Sequence, residues 1–244
     1  MLYPALNLIK FTHEKLFVSG NYFEFYYYQK PLFYNFPPNR RTTRSARAEN
    51  SLLKNRRKDN LWRTQQKLRR LINANLGKEL PKFLTLTFKE NITDLKIANK
   101  YFSDFILRLK RFLKYKPQYL CVVEFQKRGA IHYHCLIFNM PYTENIKGIF
   151  NQLWQYGFTQ LKAIKEIQNI GAYVSKYLTK KNIDKRLCGN KAYFGSRSLK
   201  KPQEYKNTLT IAEILKNVKL EEKVVREYFT EKYGIIKYKQ YKKT

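Results

Sequence analysis

The chain has 244 residues, 43% hydrophobic and 16% aromatic, which is enough apolar material for one catalytic domain with extensions and argues against global disorder. Lysine and arginine number 49 against 18 acidic residues, a formal net charge of +31 that calls for a polyanionic partner, nucleic acid before an anionic membrane. No run of about 18 apolar residues occurs, and the start MLYPALNLIKFTHEK lacks the features of a secretory signal, so a cytoplasmic protein with no membrane partner is expected.

Cys121, Cys135 and Cys188 are odd in number and lack CxxC spacing, so neither a disulfide framework nor a zinc ribbon is expected. Cys121 and Cys135 sit in apolar alternating runs and read as reduced packing residues.

Residues 1–40 form an aromatic-rich segment (NYFEFYYYQKPLFYNFPP) that stops at Pro37-Pro38; its aromatics suit strand packing better than a base-stacking platform. Residues 41–78 read as a long basic helix from Thr42 to Leu76, with an apolar stripe of Leu53, Leu61, Leu68, Leu71 and Ile72 and a stop at Gly77. With so large a positive charge, its Arg and Lys face suits DNA-backbone contact better than mere solvation.

A domain over 79–202 follows. Lys82–Phe88 alternates as a strand, and Thr93 is the expected N-cap of a helix to about Tyr115, with Ile97, Tyr101, Phe105, Leu109 and Phe112 on one face. Strands over 119–126 and 130–138 come next, joined by Lys127-Arg128-Gly129. A helix over 143–155, a strand over 158–164 and a helix over 167–180 complete the series. The order β-α-β-β-α-β-α predicts an α+β architecture, a central antiparallel sheet with helices packed on one face. Residues 203–244 read as a charged C-terminal tail with possible short helices, and no ATP-binding loop motif is present.

Two of the three histidines form His132-Tyr133-His134 within a strand, where i and i+2 share a face. Alone, the pair fits metal ligation and a plain sheet equally well. A three-residue hairpin loop with Gly129 last sets Gln126 opposite Ala130, Glu124 opposite His132 and Val122 opposite His134. Glu124 then joins the imidazoles as a third ligand candidate. Two histidines and one carboxylate also describe oxygenase iron sites, so the patch does not name a reaction. Tyr173 and Tyr177, at i and i+4 beside Lys176 and Lys180, add phenols whose ionisation neighbouring ammonium groups favour, although helical tyrosines more often pack.

Phe83-Leu-Thr-Leu-Thr-Phe88, His132-Tyr133-His134 and Tyr173-Val-Ser-Lys-Tyr177 resemble, in order and spacing, motifs I, II and III of the HUH endonuclease superfamily, closest to rolling-circle replication initiators of small phages and plasmids. The resemblance covers roughly residues 80–200. It implies the RRM-like HUH nuclease fold and a Mg²⁺ or Mn²⁺ ion held by Glu124, His132 and His134. It also implies nicking and joining of single-stranded DNA at a replication origin hairpin through a 5′-phosphotyrosine. Tyr173 ranks first as nucleophile and Tyr177 second, with Lys176 stabilising phosphate or phenolate. A host helicase and polymerase in a bacterial cell are the further partners implied. The alternatives are a single-tyrosine HUH transposase, a relaxase, whose tyrosine usually precedes the histidines, and a non-enzymatic RRM-like RNA-binding protein, which leaves Glu124 and the histidine pair unexplained.

Overall fold

The computed structural model describes residues 10–34, 50–141, 143–167, 169–178 and 191–244, and only the backbone of 50–60. The expected break at Pro37-Pro38, the helix start at 42–49, the Leu53 side chain, Lys180 and Cys188 lie outside what is described. In chain order the elements begin with β1 (Lys10–Ser19), β2 (Tyr22–Tyr34), α1 (Asn50–Asn73), β3 (Lys82–Phe88), α2 (Leu95–Leu113), β4 (Tyr119–Phe125) and β5 (Ile131–Ile137). They continue with α3 (Ile146–Leu153), β6 (Gly157–Lys162), α4 (Ile170–Ser175), β7 (Tyr193–Gly195), β8 (Gln203–Tyr205), α5 (Thr208–Leu215), β9 (Leu220–Thr230) and β10 (Gly234–Lys243). The chain divides into two compact units, residues 1–55 with 201–244, and residues 56–200.

The first unit is a five-stranded antiparallel sheet in the order β8-β1-β2-β10-β9. Residues expected as a loose tail therefore supply strands. In β10 the alternation is plain: Ile236, Tyr238 and Gln240 are buried while Lys237 is exposed. The lysines mask this period, because their charge dominates the composition of the segment. α5 covers one face through Ile211, packed with Leu16, Phe23 and Phe25.

The second unit holds the sheet β6-β3-β5-β4-β7, again antiparallel. Strand and helix order follow the expected β-α-β-β-α-β-α series, and β3 has the expected bounds. Helices cover both faces instead of one. Ala98, Phe102, Phe105 and Leu109 of α2, with Phe150 of α3, pack on Leu84, Leu86, Cys121, Val123, Tyr133 and Cys135. On the other face Leu68 and Ile72 of α1, with Ile170 and Val174 of α4, pack on Phe83, Leu120, Val122 and Leu136. The cause is visible in β4 and β5, where Cys121-Val122-Val123 and Cys135-Leu136-Ile137 are apolar without interruption, the pattern of a strand buried on both sides. Cys121 and Cys135 are buried free thiols facing each other across the strands.

Three helix details differ from expectation. Asp94, not Thr93, caps α2, its carboxylate accepting from Lys96 N at 2.6 Å and Ile97 N at 3.1 Å. The buried stripe of α2 is 98/102/105/109, leaving Ile97 and Phe112 each 47% exposed. α1 ends before Gly77 because the Asn75 amide donates to Leu71 O at 2.7 Å and Lys200 O at 2.9 Å, satisfying a carbonyl that the last turn leaves open. Two strands precede α1, so it is an interior element and not an N-terminal one.

Candidate active site

The hairpin between β4 and β5 places the acidic residue. Gly129 N donates to Gln126 O and Gln126 N to Ala130 O, both at 2.8 Å, with Gly129 at φ 89°, a conformation that a side chain would strain. Glu124 pairs with His132 and Val122 with His134, the register read from the sequence. Cross-strand pairing then lines up rows on one face: Phe158, Thr87, His132, Glu124; next Gln160, Thr85, His134, Val122; then Lys162, Phe83, Leu136, Leu120.

Glu124 and His134 are in direct contact, His134 Nε2–H donating to Glu124 Oε2. Because that nitrogen carries the proton in a neutral ring, Nδ1 accepts from the Thr85 hydroxyl at 3.2 Å. His132 Nε2 is buried with no hydrogen-bond partner among the described residues. Burial first, then the His134 and Arg128 charges, push His132 below the usual imidazole range against the opposing pull of Glu124. A neutral imidazole with an orphan nitrogen is the ligating form of histidine. As the side chains stand, though, no group of three His, Cys, Asp or Glu among the described residues adopts metal-holding geometry; Glu124 and His134 satisfy one another. Donor types and burial suit a divalent cation, and the missing element is convergence of the three.

The tyrosines arrive from α4. Asn169 caps this helix by accepting from Ala172 N at 2.9 Å. Gly171 lets it lie against α1: a Cβ there would stand 2.4 Å from Asn73 Oδ1 and 2.6 Å from Arg69 O. The helix is shorter than expected, ending at Ser175 with Lys176 as C-cap, and Tyr177 sits in the following turn. The two phenol oxygens are still 3.5 Å apart. The Tyr177 ring stacks on His134 with centroids 3.9 Å apart, and Phe83 packs 6.0 Å from Tyr173 and 5.8 Å from Tyr177.

The phenols differ in electrostatics. Burial pushes Tyr173 up, but hydrogen bonding to Lys162 and Tyr177, with the Lys162 and Lys176 charges, outweighs it and lowers the phenol below the ordinary tyrosine range. Tyr177 is raised, first by burial, then by its hydrogen bond to Tyr173, the charge there and Glu124. Tyr177 thus keeps its proton and donates it toward Tyr173.

Lys162 was not singled out from the sequence. Its ammonium lies 5.0 Å from the Tyr173 ring centroid, delivered by β6. Only the pairing of β6 with β3 puts it on this face, and strand order is not written in any single segment. Thr85, which fixes the His134 ring, belongs to the Phe-Leu-Thr-Leu-Thr-Phe run, but no role was assigned to it.

Comparison with known proteins bears on this same stretch. The family described as replication-associated protein ORF2 matches residues 81–182, which include Glu124, both histidines, both tyrosines and Lys176. A curated relative, the Phasyl DNA replicon protein arp of Escherichia coli, is 33% identical over 123 residues, 40% of this chain and 42% of the relative. The alignment therefore spans less than half of that protein. Both likenesses support a replication-associated protein. No solved structure matches the chain significantly. No helix among the described residues is long and apolar enough to cross a membrane.

Proposed function

We propose that the chain is a replication initiator of the HUH endonuclease type, which nicks and rejoins single-stranded DNA through a tyrosine. One observation carries the reading: the Tyr173 phenol touches Tyr177, and Tyr177 stacks on the imidazole that Glu124 holds. Nucleophile candidate and carboxylate–imidazole patch thus form one contiguous cluster. A divalent cation bound by Glu124, His132 and His134, Mg²⁺ or Mn²⁺, would polarise the scissile phosphate and offset its charge.

The chain's own groups do the rest. Lys162 and the Tyr177 hydroxyl stabilise the Tyr173 phenolate, whose proton leaves to solvent. The phenolate oxygen attacks phosphorus, the bond to the 3′ oxygen breaks, and that oxygen takes up a proton. The products are a 5′-phosphotyrosine and a free 3′-hydroxyl able to prime a polymerase. Lys176, exposed beside Tyr173, offsets phosphate charge. Single-stranded origin DNA, a host polymerase and a host helicase are the partners this chemistry requires.

The test is incubation with single-stranded origin DNA and Mn²⁺, followed by denaturing electrophoresis. A protein–DNA adduct that survives denaturant is expected. Its absence under all metals tried, with binding intact, would leave a nucleic-acid-binding protein without nuclease activity.

A further inference from the structure

Phe158 has no place in the chemistry just described, and its position is unusual. It lies on edge strand β6 and is 67% exposed, with no ring partner among the described residues. A large apolar side chain left in solvent contributes nothing to the core. Its register neighbours are specific, however: Phe158 pairs with Thr87, and Thr87 with His132, which faces Glu124. The ring therefore begins the same cross-sheet row that ends in the carboxylate. Two strand spacings separate it from His132, about 10 Å, within the reach of neighbouring nucleotides of an extended strand. α1 and α4 cover the far rows of this face through Phe83, Leu136, Leu120 and Val122, whereas Phe158 and Gln160 remain exposed.

We propose that Phe158 is a stacking platform for a base of single-stranded DNA, seating the nucleotide beside the phosphate held at the Glu124–His132–His134 patch. The placement of the phosphate rests on the function proposed above; the stacking does not. An aromatic ring offers its face to any base, so the contact tolerates sequence, and Lys162, further along β6, supplies positive charge on the same side of the strand. The occupant is single-stranded nucleic acid because a net charge of +31 demands a polyanion and duplex bases present no free face to a ring.

The full-length protein, metal-free so that no cleavage occurs, is titrated with a fluorescent oligothymidylate and with an abasic phosphodiester strand of the same length. Phe158→Ala should weaken oligothymidylate binding about ten- to a hundredfold and leave the abasic strand unaffected. Phe158→Trp should restore the loss, and the melting temperature of Phe158→Ala should equal the parent's. Equal weakening on both strands, or none on either, would overturn the platform. Because neither titration involves strand scission, a protein that forms no covalent adduct but shows this base-dependent loss would sink the nickase reading and keep the platform. Adduct formation with no base-dependent loss would do the reverse.

Discussion

Tyr177 lies over the His134 imidazole, ring centroids 3.9 Å apart and planes 29° from parallel, while its hydroxyl sits 3.5 Å from that of Tyr173. One tyrosine therefore packs against the carboxylate-bound imidazole and the other stands outside that stack, although both come from the same short stretch of chain.

This asymmetry predicts different outcomes for two conservative substitutions. Tyr173→Phe should abolish the covalent DNA adduct with the fold unchanged. Tyr177→Phe keeps the ring stack and should retain the adduct while slowing its formation, since the hydrogen bond toward Tyr173 is gone. Adduct yield on denaturing gels checks both, and an adduct surviving in Tyr173→Phe but lost in Tyr177→Phe would reverse the roles.

The phenol of Tyr173 is lowered despite burial, with Lys162 the first of the groups that lower it. Removing that ammonium in Lys162→Met must move the phenol upward, so at any given pH a smaller fraction is ionised. The pH profile of single-turnover cleavage should shift to higher pH, and cleavage at neutral pH should fall while saturation with DNA changes little. An unmoved profile would mean that the ammonium has no influence on the nucleophile.

Glu124→Gln preserves an acceptor for the Nε2–H of His134 but removes the negative charge a cation needs. Metal-dependent cleavage should disappear, as it should in His132→Ala. Salt-sensitive binding of single-stranded DNA should persist in both, measured as the slope of log affinity against log salt. Loss of binding equal to the loss of cleavage would argue against a metal role.

Arg63 and Lys67 are exposed on α1, one turn apart. If this face tracks phosphates, neutralising each should reduce the magnitude of the salt slope by about 0.7 without touching cleavage chemistry at saturating DNA. Unchanged slopes would return the face to plain solvation.

Phe102 is 2% exposed and sits between Phe105, Tyr119, Tyr133 and Phe194, with ring centroids 5.1 to 6.1 Å away. Phe102→Ala should cost about 3–5 kcal/mol of stability, read by denaturant unfolding of the full chain. A cost well below this would show that the cluster collapses into the gap.

Legibility tracked how local the determining signal is. The register of Glu124 against His132 followed from three loop residues, and the bounds of β3 from seven alternating ones. The contact of Lys162 with Tyr173 needs the neighbour relation between β6 and β3, a global property, and it went unseen. Helices on both faces were inferable from the unbroken apolar runs of β4 and β5, but alternation was sought and found only around the histidines. The first unit was least legible, because β2 and β10 find each other across 206 residues, as Ile235 N donating to Gln29 Oε1 illustrates, and each strand alone is crowded with tyrosine or lysine.

That long-range pairing has a kinetic meaning. β1 and β2 leave the ribosome early, yet two of their three companion strands, β9 and β10, lie beyond residue 219. Residues 56–200 can complete their own sheet while the earlier hairpin is still waiting. A high sequence separation between partners makes closing of the aromatic sheet the slow event of folding. During translation the half that carries the histidines and tyrosines is thus finished before the half that was begun first, and the waiting hairpin is the segment most exposed to pairing with the wrong chain.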